Sequence, residues 1–296
     1  MIAVRAVVIA IALISSATFA GAAKLKVVAS FSILADMASR VGENRIEIHT
    51  LVGPNGDAHV FQPTPGDAKA VAQADVILLN GLGFEPWVKR LIHAAAAKGT
   101  VVIVSAGVTP RRFGPDAAAA IDPHAWQDLR NGEIYARNIG AAFAAADKAS
   151  ADFYEKNAAS YAGEMAVLDG KVRAAFAALP TKRRGVITSH DAFGYFGAAY
   201  GIAFVAPLGL STDDQASAKG VARLIDQIRQ QRISAVFVEN VTDPRLIAQI
   251  ARETGVKIGG ELFSDALSKP GGAAATYTDM FGHNKSALVA AMTTTP

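Results

Sequence analysis

The chain has 296 residues, of which 51% are hydrophobic and 19% charged, a composition that excludes a disordered protein and is enough for one large core or two modest ones. Its net charge is only +3 and its lysines and arginines are scattered, so there is no electrostatic case for nucleic acid as a partner. The absence of cysteine removes disulfides, thiol catalysis and thiolate metal sites.

Residues 1–23 read as a secretory signal peptide. Arg5 supplies the positive start, Ala6 to Ile14 the apolar stretch, and Ala20-Gly21-Ala22 a small-residue cleavage site. The apolar run is shorter than the roughly 20 residues that a membrane span needs. With no cysteine to carry a lipid anchor, the mature chain, of net charge +2 once Arg5 is gone, is expected to diffuse freely in the periplasm.

Residues 24–146 read as one α/β lobe. The β-branched run Lys24 to Ser30 is a strand, followed by Ile33, Leu34, Met37 and Val41 at helical spacing. Ile46 to Val52 is a second strand that ends in the turn-rich Gly53-Pro54-Asn55-Gly56-Asp57-Ala58-His59. Thr64-Pro65 opens a helix, Val76 to Leu79 is a third strand, Glu85-Pro86 opens a helix to about Ala97, and Val101 to Ser105 is a fourth strand. Continuous apolar strands of this kind belong to parallel sheets covered on both faces. A loop from Val108 to Asp122 leads into Asp122-Pro123-His124-Ala125-Trp126 and the next helix.

Residues 147–180 carry Tyr154, Ala158, Tyr161, Met165, Leu168, Val172, Ala175 and Leu179 at alternating steps of four and three, which makes one long amphipathic helix. Ser150 is placed to cap its start and Pro180 to end it, with Lys156, Glu164, Lys171 and Arg173 on the outer face. It reads as a beam between two lobes. After it, Lys182-Arg183-Arg184 reads as a solvated turn rather than a binding patch.

Residues 181–296 repeat the α/β alternation. Strands are expected at Gly185 to Ser189, Ile202 to Ala206, Ala235 to Val238 and Val256 to Leu262, with helices near Phe193 to Tyr200, Ser217 to Arg229, Pro244 to Glu253 and Thr276 to Met292. The expected fold is therefore α/β: two four-stranded parallel-sheet lobes joined by one long rigid helix.

Open parallel sheets bind ligands at the carboxyl ends of their strands. His59, His124, His190 and Asp265 all sit there or in the loops that follow, and three imidazoles with a carboxylate suit tetrahedral zinc. Any one of these histidines alone would pass as structural. His49 in a strand and His93 and His283 in helices read as structural.

The stretches Gly56-Asp57-Ala58-His59-Val60-Phe61-Gln62-Pro63, Asp122-Pro123-His124-Ala125-Trp126, Thr188-Ser189-His190-Asp191-Ala192-Phe193-Gly194-Tyr195-Phe196, Glu239-Asn240-Val241-Thr242-Asp243-Pro244 and Ser264-Asp265-Ala266-Leu267 closely resemble the cluster 9 (A-I) metal-binding solute-binding proteins of bacterial ABC importers. The resemblance covers essentially the whole mature chain. It implies a stiff helical spine, one divalent metal held between the lobes by His59, His124, His190 and Asp265, no reaction, a membrane permease as partner, a periplasmic metal donor as a further one, and a monomer. Manganese and iron carriers of that kind have Glu where this chain has His190, so the chain resembles the zinc type. It lacks the histidine-rich insert that many zinc carriers have between Val108 and Asp122.

Other chemistries fit the same residues less well. In Ser189-His190-Asp191 neighbours on an extended chain point to opposite faces, so they do not form a catalytic triad. A zinc hydrolase needs an open metal position and a base, for which Glu239 is the candidate, with a part as partner to a ligand or as a cap as its alternative. Manganese or iron import is the other alternative. Asp67 and Asp75 read as helix caps, Asp213 and Asp214 as rim residues, Trp87 as packing, and Trp126 as a wall beside His124.

Overall fold

The β-branched runs form two parallel sheets, and turn residues at their carboxyl ends release the chain into the loops that build the site. The computed structural model describes residues 23–113, 120–214, 217–231, 233 and 235–293. Residues 1–22 of the expected leader, and part of the Val108 to Asp122 loop, lie outside them.

The first sheet has the order β2-β1-β3-β4, with β1 at Leu25–Phe31, β2 at Ile46–Val52, β3 at Val76–Leu79 and β4 at Thr100–Ile103, every pair parallel. The second repeats the order as β6-β5-β7-β8, with β5 at Gly185–Ile187, β6 at Ala203–Val205, β7 at Ala235–Glu239 and β8 at Ile258–Leu262. In both sheets the first strand of the lobe is interior, so its carboxyl end lies at the middle of the edge where parallel sheets bind ligands. The expected α/β architecture is therefore present, with β2 and β3 as expected and the ends of the other strands shifted by at most two residues.

Helices α1 (Ser32–Gly42), α2 (Pro65–Gln73), α3 (Val88–Ala94) and α4 (Leu129–Ala146) belong with the first sheet. In α2 Thr64 and Asp67 form a reciprocal capping box, so Asp67 acts in the cap as expected. Asp75 instead accepts the Lys26 N–H at 2.8 Å. Helix α3 starts later than Glu85-Pro86 suggests. Glu85 is turned into the protein, accepting Ser30 Oγ at 2.6 Å and the N–H groups of Asn80 and Gly81 at 2.7 and 3.2 Å. Burial raises its pKa despite these donors.

The long helix α5 covers Ala151–Ala177, 27 residues or about 40 Å. Tyr154, Ala158, Tyr161, Met165 and Val172 are buried as the periodicity requires. Ser150 occupies the cap position, but its hydroxyl accepts Arg45 rather than a helix N–H. Arg173 departs from the expected outer face: its guanidinium reaches Asp169 and the Ala199 carbonyl. Arg184 bonds the Leu179 carbonyl at 2.6 Å and the Ala177 carbonyl at 3.3 Å, so this one residue of the basic triplet closes the end of the helix.

Beyond it lie α6 (Gly194–Tyr200), α7 (Ala218–Gln231), α8 (Arg245–Thr254) and α9 (Tyr277–Thr293). Helix α5 packs on α1 and α4 on one side and on α6 and α9 on the other, which makes it a structural link between the lobes. In place of two separate cores, one apolar core runs through both lobes, and a smaller one around Leu224, Ile228 and Ile250 lies in the second lobe alone. Tyr277 shows the continuity: its N–H donates to Asp36 on α1, and its hydroxyl to the Trp126 carbonyl. Among the described residues no helix is long and apolar enough to cross a membrane.

Candidate metal centre

His59 leaves the loop after β2, His124 precedes a short turn of helix at Ala125–Gln127, His190 follows β5, and Asp265 follows β8. Folding brings all four predicted residues together, with one ligand-capable atom from each within 4.8 Å of the others. Asp265 Oδ2 lies 3.2 Å from His59 Nε2 and 3.1 Å from His190 Nε2, and its Oδ1 lies 3.7 Å from His124 Nε2. A tetrahedral ion with bonds near 2.0 Å needs donors about 3.3 Å apart, which these distances nearly match. The His59 side chain is 5% exposed and the other three are fully buried. Facing one another, the three Nε2 atoms and both Asp265 oxygens bond nothing outside the cluster and make no well-formed hydrogen bond within it, an expensive arrangement in a dry interior unless something else engages them.

The rings are aimed from behind. Asp122 Oδ1 is 2.9 Å from His124 Nδ1 and also accepts the His124 N–H at 3.0 Å. Glu239 Oε1 accepts the N–H groups of Ser189 and His190 at 2.7 and 2.9 Å, while its Oε2 approaches His190 Nδ1 at 2.7 Å. Each carboxylate thus sets an imidazole so that Nε2 faces the other donors. Asp265 is fixed from the opposite lobe, because Trp126 Nε1 and Gln127 Nε2 both donate to the Ser264 carbonyl, at 2.9 and 2.7 Å. Phe84 meets His59 edge-on at 4.9 Å, and Trp126 meets His124 at 5.3 Å, forming an apolar wall. Trp126 walls the site as expected.

Burial alone would lower the His190 pKa, but Glu239 and Asp265 outweigh it and hold His190 well above its ordinary value. Burial would likewise raise Asp265; His190 and His124 outweigh it and hold the carboxyl well below the usual range. Asp265 is thus held as a carboxylate facing His190, whose protonated form the same carboxylate favours.

Residues 27–291 match the family described as ZnuA, zinc-uptake complex component A, periplasmic. The chain belongs to the ZnuA family. It is an extracytoplasmic metal-binding substrate-binding protein of an ABC importer. Among relatives of this ZnuA-family chain, the metal ABC transporter lipoprotein FimA of Streptococcus parasanguinis is 34% identical over 268 residues, covering 88% of this chain and 87% of that protein. The manganese ABC transporter lipoprotein PsaA of Streptococcus pneumoniae is 32% identical over 275 residues, covering 88% and 86%. The solved periplasmic zinc binding protein TroA of Treponema pallidum superposes with a TM-score of 0.86 at 30% identity over 91% of this chain and 99% of that one. A manganese-bound mutant of a periplasmic metal binding protein from Candidatus Liberibacter asiaticus gives 0.84 at 30% identity, over 90% and 99%. These relatives are named lipoproteins, which runs against the anchor-free form expected from the sequence.

The remaining expectations sort by geometry. His49 pairs with Asp67 at 3.0 Å and His283 with the Glu261 carbonyl at 2.9 Å, both outside the cluster. Ser189 Oγ bonds nothing, so no triad forms around His190. Glu239 has one oxygen on two backbone N–H groups and the other 2.7 Å from His190 Nδ1, which puts it in the expected alternative role of partner to a ligand. Trp87 packs as expected, with its Nε1 on the Ala58 carbonyl at 2.7 Å, one residue before His59. Phe84, Asp122 as a partner of His124, and Gln127 were missed. Only Asp122 had a local signal, a carboxylate two residues before a candidate ligand.

Proposed function

We propose that the protein captures Zn2+ outside the cytoplasm and hands it to the membrane permease of its ABC importer, with a periplasmic donor as a further partner and the protein acting as a monomer. His59 and His124 would bind from residues 24–146, and His190 and Asp265 from residues 181–296, with residues 147–180 as the rigid link. The observation that carries this reading is the convergence of three Nε2 atoms and one carboxylate, all buried and unpartnered. Three neutral imidazoles with one carboxylate suit zinc, whereas manganese favours a set richer in oxygen. Four protein donors also fill a tetrahedral shell, which suits carriage rather than catalysis.

Manganese is the second reading, favoured by the names of PsaA and of the manganese-bound Liberibacter structure. Because Asp265 offers both oxygens, the site has a fifth donor for an ion of higher coordination. Native mass spectrometry with elemental analysis, on protein purified without added metal and then titrated with each ion, separates the two. One zinc retained per chain against excess manganese supports the zinc assignment, and preferential manganese retention reverses it.

A further inference from the structure

The loop carrying His59 is pinned to the facing lobe at its tip. Asn55 donates its N–H to the Leu267 carbonyl at 2.9 Å, and its Oδ1 accepts Asn240 Nδ2 at 3.1 Å. Asp57 makes a link of another kind. One of its carboxylate oxygens accepts the His59 N–H at 2.9 Å, and the other accepts Thr212 Oγ1 at 2.6 Å. Thr212 lies in the segment after β6, which is tied to the His190 loop where Asp191 N–H meets the Gly209 carbonyl at 2.9 Å. A single carboxylate thus joins the peptide of a candidate ligand in one lobe to the loop that flanks a candidate ligand in the other.

This link stands at an opening. A cleft of about 380 Å3 is lined by Asp57, Ser189, Leu208, Thr212 and Thr242, of which Asp57 lies two residues before His59 and Ser189 one before His190. Other contacts between the lobes, Trp126 to Ser264 and Tyr277 to Asp36 among them, lie outside the cleft lining. Asp57 and Thr212 are each half-buried, so water can replace their bond as it opens, at little cost. His59, the one candidate ligand whose side chain is not fully buried, takes its backbone support from this same carboxylate.

We propose that Asp57 and Thr212 form an exchange clasp: closed, it positions His59 and holds the lobes together over the cleft; open, it frees His59, so that its opening sets the rate at which metal leaves. The inference rests on the four-residue cluster being the metal site. Asp57 is a positioning residue here, acting through His59.

The test uses Thr212→Val, which keeps the shape and removes the donor, and Thr212→Ser, which keeps the hydroxyl. Transfer of zinc from the loaded protein to excess chelator is followed by stopped flow, zinc association is measured alongside, and deuterium uptake of the Gly53–His59 peptide is read in metal-free protein. Loss of one hydrogen bond of ordinary net strength predicts dissociation about three- to tenfold faster in Thr212→Val, with association nearly unchanged. Uptake rises in the same variant, and Thr212→Ser restores both. Wild-type dissociation and uptake in Thr212→Val overturn the clasp. If the wild-type chain retains neither zinc nor manganese, the functional reading fails by itself. Metal-free uptake then decides the contact alone: a rise upholds Asp57 as the positioning residue of His59, and no change overturns it.

Discussion

Asp122 holds His124 twice, through the backbone N–H at 3.0 Å and against ring Nδ1 at 2.9 Å, and so fixes both where the residue sits and which ring nitrogen faces the other donors. Glu239 stands in the same relation to His190, at 2.7 Å from Nδ1 with its other oxygen on two backbone N–H groups. One carboxylate per lobe orients one imidazole per lobe. Such partners raise ligand basicity, and their loss typically costs 10- to 100-fold in metal affinity. Asp122→Asn and Glu239→Gln are therefore expected to weaken zinc binding by about that factor while the circular dichroism spectrum stays native. Competition against a chelator of known affinity measures it; an unchanged affinity in both variants would show that the rings are aimed by packing alone.

Removing a member of the cluster itself has a larger effect. Asp265 is fully buried among three imidazoles and supplies the only carboxylate within the set. Asp265→Ala leaves no carboxylate among the donors themselves, and zinc retention through gel filtration is expected to be lost. Metal-dependent stabilisation should vanish with it, because an ion that binds only the folded state raises stability in proportion to its affinity. A thermal shift with and without zinc reads this directly.

The protonation balance sets a pH dependence. With Glu239 and Asp265 beside it, His190 has a folded pKa above its unfolded value near 6.5. A raised pKa contributes stability that is fully present below the unfolded value and lost as pH rises through the folded one. Asp265, with its pKa depressed, contributes stability above its unfolded value near 3.9 that is lost as pH falls through the lower folded value. In the metal-free chain both contributions are therefore present in the mildly acidic range, and the His190 part fades toward alkaline pH. Metal competes with the His190 proton, so zinc affinity should fall between about pH 7.5 and about pH 5, and the zinc-induced thermal shift should be larger at the higher pH. Equal affinity across that range would contradict the proton competition.

These four residues were legible because they obey a topological rule: parallel sheets present their chemistry where strands end, and a chain with only six histidines has three there. Strands β2 and β3 were legible to the residue because β-branched runs bounded by turn signals leave no other choice. What could not be read was pairing at long range. Glu85 looks like a helix opener beside Pro86, yet its strongest partner, Ser30, is 55 residues away in sequence. Arg173 follows the charged pattern of an exposed face but finds Asp169 one turn back and a carbonyl in α6. The shared core was hidden for the same reason, since hydrophobic periodicity marks a buried face without naming what covers it.

Gly194 offers the sharpest test that site and lobe interface are one unit. It begins α6 in the second lobe, and a Cβ added there would lie 2.5 Å from Asp122 Oδ2 and 3.0 Å from Arg111 Nη2 in the first. Arg111 has latitude, because its side chain is 41% exposed. Asp122 has little, since its other oxygen is held by the ring and N–H of His124. A methyl group at this position therefore either parts the lobes or rotates Asp122 off His124, and both routes reduce zinc affinity without adding any group to the cluster. Gly194→Ala is expected to bind zinc about tenfold more weakly. Combined with Asp122→Asn, the losses should be less than additive if the alanine acts by displacing that carboxylate, because contacting residues couple in double-mutant cycles. Full additivity would place the effect of Gly194 in lobe closure alone.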